Sequence, residues 1–275
     1  MVEAQYDDRL RSIAPLTPLG RLLTTLPVVR LTTRTYTGYA NASLQDVLGG
    51  TLQGAQRWEA ATLDHQVLLN RGGSFEARPL PVEAQFAPAF YAGVADFDGD
   101  GHEDLFLSQN FFPTEIATPR YDAGRGLLLR GRGDGTLEPV PGQVSGILVY
   151  GDQRGAAFAD YDGDGRTDLV VSQNGAATRL YHNEHARPGL RVRLVGGALN
   201  PHGIGAVVRV VYDGSRGPAR EVHGGSGYWS QDGPVPVLGL EQGKRATGVW
   251  VRWPGGSETL APLSAGQREI TVRQP

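Results

Sequence analysis

The sequence predicts an all-β protein: a partial β-propeller, a small β-sandwich-like domain after it, and a partly helical segment before it. Three observations carry this. Residues 94–110 read VADFDGDGHEDLFLSQN and residues 158–174 read FADYDGDGRTDLVVSQN, two nearly matching stretches offset by 64 positions. Self-similarity at a fixed period marks a repeat architecture, and short strands in four-stranded units are propeller blades. The 39 glycines and 18 prolines suit many short strands joined by tight turns and suit long helices poorly. From Gly189 onward the repeat stops, but period-two strand patterns continue.

Residues 1–60 differ from the rest. Leu19, Leu22, Leu23 and Leu26 recur at helical spacing up to Pro27, and Ser43 to Leu48 followed by Gly49-Gly50 reads as a short helix with a glycine C-cap and Asn41 or Ser43 as N-cap. This segment is expected to be an extension or insertion. Residues 61–188 hold the blades. Val67-Leu-Leu-Asn-Arg-Gly-Gly-Ser-Phe and Leu127-Leu-Leu-Arg-Gly-Arg-Gly-Asp-Gly-Thr-Leu read as outer hairpins, and Arg179-Leu-Tyr-His-Asn as a further outer strand. The long period points to an insertion over Phe111 to Gly124. Two to three blades of roughly 40–45 residues fit in this span, too few to close a ring. Residues 189–275 form the last domain, with strands expected at Leu190–Val195, Ala206–Tyr212, Val235–Leu240, Gly248–Trp253 and Glu269–Val272.

The chemistry lies in the two repeated loops. Asp96, Asp98, Asp100 and Asp104 occupy positions 1, 3, 5 and 9 of D-x-D-x-D-G-x-x-D, as do Asp160, Asp162, Asp164 and Asp168. Carboxylates curled onto one point repel unless a cation joins them. Six to eight hard oxygens suit Ca²⁺, so two calcium sites are expected. The glycines at positions 4 and 6 permit the curl. The carbonyls of His102 and Arg166 would add the position-7 oxygen. An EF-hand loop needs an acid at position 12, where Leu107 and Val171 stand, and a following helix where strand sequence follows. An acidic turn without metal is the plain alternative, since Asp-Gly is a generic turn former. A catalytic metal needs an open position, and these ligand sets look saturated by protein.

These loops resemble the FG-GAP/VCBS repeats of integrin-α-like propellers. Asn200-Pro-His-Gly-Ile-Gly-Ala, His223-Gly-Gly-Ser-Gly-Tyr-Trp-Ser-Gln-Asp and Val251-Arg-Trp-Pro-Gly-Gly resemble the ASPIC/UnbV domain, and together they look like bacterial relatives of the cartilage acidic protein family. The resemblance covers about residues 61–275. It implies a calcium-binding propeller, often seven-bladed, in an extracytoplasmic setting and without enzyme activity. Only two complete metal loops are present, and the region before Val67 offers Gln45-Asp46-Val47 in place of a third, so further blades are expected upstream.

Composition sets outer limits. Apolar residues make up 40% of the chain and the net charge is -3, which excludes nucleic acid as the default partner. No cysteine is present, so disulfides and thiolate chemistry are excluded. No apolar run reaches the roughly 20 residues that cross a bilayer, and the acidic, polar start is no signal peptide. Lys244 is the single lysine, an arginine bias read as a bacterial GC effect. Arg132-Gly133-Asp134 reads as an ordinary hairpin turn, and His182, Glu184 and His185 as surface polarity, with metal binding the alternative. Tyr228 and Trp229 in a glycine-rich loop are either a recognition patch or part of the local core. The expected function is a binding, adhesion or scaffold module with a protein or glycan partner. The alternative is a carbohydrate-binding or carbohydrate-active propeller, though no cluster of paired acids stands outside the metal loops.

Overall fold

The computed structural model describes residues 1–116 and 118–275 and divides into two compact units, Met1–Leu63 and Asp64–Pro275. In the first unit a hairpin of β1 (Ala4–Asp7) and β2 (Ser12–Pro15) precedes α1 (Leu19–Thr25), a 3-10 turn at Pro27–Leu31, α2 (Tyr36–Ala40) and α3 (Leu44–Leu48). Pro27 ends α1 because a proline has no N–H to continue the helix. Ser43 caps α3 in a reciprocal capping box with Asp46, and Asn41 instead closes α2. Leu19, Leu22, Val29 and Val47 form this unit's small core.

The second unit starts with a two-stranded hairpin, β3 (Gln66–Asn70) and β4 (Phe75–Pro79). A complete four-stranded antiparallel blade follows in the order β5 (Ala89–Ala95), β6 (Asp104–Gln109), β7 (Leu127–Gly131) and β8 (Leu137–Val140). The 111–124 stretch joins β6 to β7, pinned by a bridge between Phe111 and Tyr121. A helical turn, α4 (Gly142–Ser145), leads to a three-stranded blade of β9 (Asp152–Ala159), β10 (Asp168–Asn174) and β11 (Ala176–Tyr181). The Arg179–Asn183 stretch therefore supplies a third strand with no fourth beside it among the described residues.

Apolar packing between blades holds the arc together. Tyr91, Phe97, Phe106 and Phe158 meet between the two larger blades, with Phe97 and Phe158 edge to face at 4.7 Å. Leu105, Leu107 and Leu129 pack with Val67 beneath the hairpin. By hairpin register, Leu68 stands where Leu129 stands one blade later. Leu129 is 0% exposed under the preceding hairpin, whereas Leu68 is 60% exposed.

The C-terminal strands are β12 (Leu190–Val195), β13 (Val207–Tyr212), β14 (Ser215–Arg216), β15 (Arg220–Glu221), β16 (Val237–Leu238), β17 (Ala246–Arg252), β18 (Glu258–Pro262) and β19 (Glu269–Arg273). They make two sheets, β16-β12-β19 and one of β14, β15, β13, β17 and β18. Both sheets face one core of Leu190, Val192, Val208, Val249, Val251 and Trp253. β18, which the sequence reading left out, is an edge strand with only partial burial, so its apolar periodicity is weak. The Val235–Leu240 expectation shortens to two paired residues.

Candidate metal centre

Each repeated loop connects the first two strands of a blade: β5 to β6 over Asp96–Asp104, and β9 to β10 over Asp160–Asp168. The same hydrogen-bond frame is built twice. Asp96 Oδ1 accepts from the Gly99 N–H (2.6 Å) and Oδ2 from Gly101 (2.7 Å). Asp160 Oδ1 accepts from Gly163 (2.8 Å) and Oδ2 from Gly165 (2.9 Å). Asp104 Oδ2 reaches back to the Phe97 N–H (2.8 Å), as Asp168 Oδ2 does to Tyr161 (3.2 Å). Their other oxygens accept from the third strand's end, at Gly131 and Asn183, both at 2.8 Å. Gly99, Gly101, Gly163 and Gly165 have φ of 73°, 95°, 83° and 84°, the left-handed backbone that aims these N–H groups inward.

This frame gathers three carboxylates per loop. Asp96, Asp98 and Asp104 each bring one oxygen within 4.8 Å of the others, and so do Asp160, Asp162 and Asp168. The position-5 acids turn aside toward cations. Asp100 Oδ2 lies 3.0 Å from Arg130, and Asp164 pairs with Arg166. His102 and Arg166 stand at position 7, where their N–H groups donate to Asp100 Oδ1 (2.9 Å) and Asp164 Oδ1 (2.8 Å). His182 joins Asp162 and Asp164 in a third grouping, with Nε2 at 3.0 Å from Asp162 Oδ2. Glu184 and His185 are exposed and outside that group.

The donor chemistry fits a hard divalent cation. All six converging atoms are carboxylate oxygens, and in the first loop Asp96 and Asp104 are held by backbone N–H groups with no lysine or arginine paired to either among the described residues. These two acids are 6% and 2% exposed. Burial raises the Asp96 carboxyl to about 6 and the Asp104 carboxyl to about 7, against the partial relief of their N–H bonds. Burial also raises Asp168. Such carboxyls are poised to gain from a cation that neutralises them.

Sequence reasoning missed Arg130 and Asn183 beside the loops, and it named His182 without placing it against Asp162. Arg130 follows Leu129, which pairs with Leu105, and His182 follows Tyr181, which pairs with Leu169. Asn183 Nδ2 donates to Phe97 O (2.8 Å) and Thr167 O (3.1 Å), tying one loop to the other. The only signal was position, since Gly131 ends the first repeat's third strand and Asn183 lies two residues past the second's. The Arg132-Gly133-Asp134 tripeptide is a hairpin turn, with Arg132 paired to Glu138 and Asp134 accepting from Thr136.

Away from the loops, the glycine-rich segment of the C-terminal domain lies on the blades. Asp232 Oδ1 accepts from Tyr91 Oη (2.9 Å) and the Phe158 N–H (3.0 Å). Tyr228 meets Phe90 edge to face at 5.7 Å. Trp229 beside it is 90% exposed with φ of 48°, a conformation costly for a bulky side chain.

Comparison with known proteins agrees with this architecture. Residues 114–171 match the family model of an FG-GAP-like repeat, and residues 196–275 that of ASPIC and UnbV. Cartilage acidic protein 1 of Xenopus tropicalis is 26% identical over 206 residues, covering 72% of this chain and 31% of the relative. The Homo sapiens protein of that name is 28% identical over 184 residues, covering 63% and 26%. The chain thus spans about a quarter to a third of the curated relatives it matches.

Proposed function

We propose that this chain is a calcium-binding, non-enzymatic repeat module that works outside the cytoplasm as a binding, adhesion or scaffold element. One observation carries the calcium reading: the same N–H to carboxylate bonds onto positions 1, 3, 5 and 9 recur in two loops, and each loop converges three carboxylates. Asp96, Asp98 and Asp104 would hold one ion and Asp160, Asp162 and Asp168 the other. Asp100, Asp164 and the carbonyls of His102 and Arg166 would complete the ligand sets, Asp100 and Asp164 by exchanging Arg130 and Arg166 for the ion. Calcium supplies charge neutralisation, and its binding free energy becomes folding free energy. The extracellular setting rests on the FG-GAP-like repeat and on the relatives named cartilage acidic protein 1. Among the described residues no helix is long and apolar enough to cross a membrane.

Thermal unfolding in millimolar Ca²⁺ against EGTA tests this. A ligand at about 100 times its Kd adds about 2.7 kcal/mol, several degrees in midpoint for a chain of this size. Equal midpoints would overturn the calcium reading.

The uncovered face at Leu68 supports a further proposal, that another blade-type sheet from outside residues 64–275 packs there as the hairpin packs on Leu129. A second functional reading, carbohydrate binding, is favoured by Trp229, which combines a strained backbone with a 90% exposed indole. Glycan-array binding that Trp229→Ala removes would support it, and an array with no signal would dismiss it.

A further inference from the structure

One hairpin repeats the outer half of a blade without an inner half. The Leu80 N–H donates to His65 O (2.8 Å) and the Arg71 N–H to Ser74 O (2.9 Å), so residues 65, 67, 69 and 71 bond across to β4. The N–H and C=O groups of Gln66, Leu68 and Asn70 then point to the other edge of β3. In the next blade β6 takes that edge of β7, with Leu105 opposite Leu129 and Leu107 opposite Leu127. β3 pairs with β4 alone among the described residues.

Three positions compare the open edge with its filled copies. Gly131 and Asn183 donate their N–H to the position-9 acid of their own blade's loop, Asp104 and Asp168, both at 2.8 Å. Asn70 precedes its hairpin turn as Gly131 does, since the Arg132 N–H donates to Thr136 O where the Arg71 N–H donates to Ser74 O. Asn70 is exposed. Leu69 accordingly stands where Arg130 and His182 stand, so the hairpin sets no cation at that place. Val94 stands where Phe158 stands in the repeat. Phe158 is 5% exposed, with Tyr91 and Phe106 of the preceding blade's inner strands edge to face against it. Val94 is 51% exposed. A cleft of about 900 Å³ lies between β3 and Val94, lined by Val67, Leu68, Ala92, Leu105 and Leu107 among others.

Building on the calcium reading above, we infer that this cleft accepts an inner strand pair from a separate stretch of polypeptide, and that the pair brings a third calcium loop. Residues 1–63 contain no D-x-D-x-D-G run. The occupant is therefore a strand, a D-x-D-x-D-G-x-x-D loop and a second strand, in the manner of β5 to β6. Its second strand pairs antiparallel with β3 through Gln66, Leu68 and Asn70. Its position-9 acid accepts the Asn70 N–H, and its large apolar side chains cover Val94. An ion that holds the loop's curl presets that acid for Asn70, so calcium and the strand pair each tighten the other's binding.

A peptide of residues 89–110, which carries β5, the first loop and β6, is the probe, added to the full chain in CaCl₂. It should bind one to one by calorimetry, raise the bound calcium by one ion per complex and slow hydrogen exchange at Gln66, Leu68 and Asn70 about tenfold. EGTA, or Asp98→Asn in the peptide, should weaken its binding at least about tenfold. Asn70→Pro in the full chain breaks no backbone bond to β4 and should weaken binding similarly, because the bond it deletes is to a charged acid. A full chain that binds no calcium would overturn the calcium reading and this inference with it. A full chain that binds calcium but not the peptide, or peptide binding unmoved by EGTA or by Asn70→Pro, would overturn this inference alone.

Discussion

Arg130 and His182 occupy the same place over the two loops, one residue past the partners of Leu105 and Leu169. Arg130 Nη2 lies 2.7 Å from Asp98 Oδ2 and 3.0 Å from Asp100 Oδ2. His182 Nε2 lies 3.0 Å from Asp162 Oδ2 and 3.6 Å from Asp164 Oδ2. A fixed cation thus competes with metal in the first loop where an imidazole stands in the second.

Arg130→Gln should therefore tighten calcium binding at the first loop. The pair is two-fifths exposed, so the gain is modest, up to about fivefold. Calorimetric titration in an Asp162→Asn background isolates that loop, and weaker binding by the variant would contradict the competition.

The metal-free chain should lose stability as pH rises. Asp96 and Asp104 have carboxyls raised by burial from the ordinary 3.8 to about 6 and about 7. The folded chain then holds more protons than the unfolded one between these values, so their contribution is present below about 3.8 and lost through 6 and 7. Calcium replaces those protons. The midpoint difference between Ca²⁺ and EGTA should widen from about pH 5 to about pH 8, and a constant or narrowing gap would refute this.

Tyr91→Phe should cost about 1–2 kcal/mol, because Tyr91 Oη is a buried donor to Asp232 and the acid also anchors the Phe158 N–H. Urea denaturation should show a lower midpoint with the same slope. An unchanged midpoint would mean that the glycine-rich segment is not fastened through this bond.

Leu68→Lys should reduce self-association without loss of stability. Its side chain is 60% exposed on a hairpin face that is covered in the next blade. Sedimentation velocity compares the two chains. A variant that associates as strongly as the parent would show that this face is not sticky.

The local sequence determined much of this protein. Two D-x-D-x-D-G-x-x-D runs at fixed offset define the blades, because carboxylates and glycines at those spacings dictate one curl by hydrogen bonds within nine residues. Ser43 and Asp46 define a helix start in the same local way. What lies across the chain was not legible. Arg130, Asn183, Gly239 and Arg191 reach the loops from strands and turns 30 to 143 residues away, and nothing in their own neighbourhoods marks them. Nor does the pattern say that Arg130 reaches both Asp98 and Asp100 while Asp98 alone of the two converges with Asp96 and Asp104. Only tertiary packing decided that Gly239 lies against Asp96 in one loop and Arg191 against Asp160 in the other, because burial and charge at a point are sums over everything folded around it.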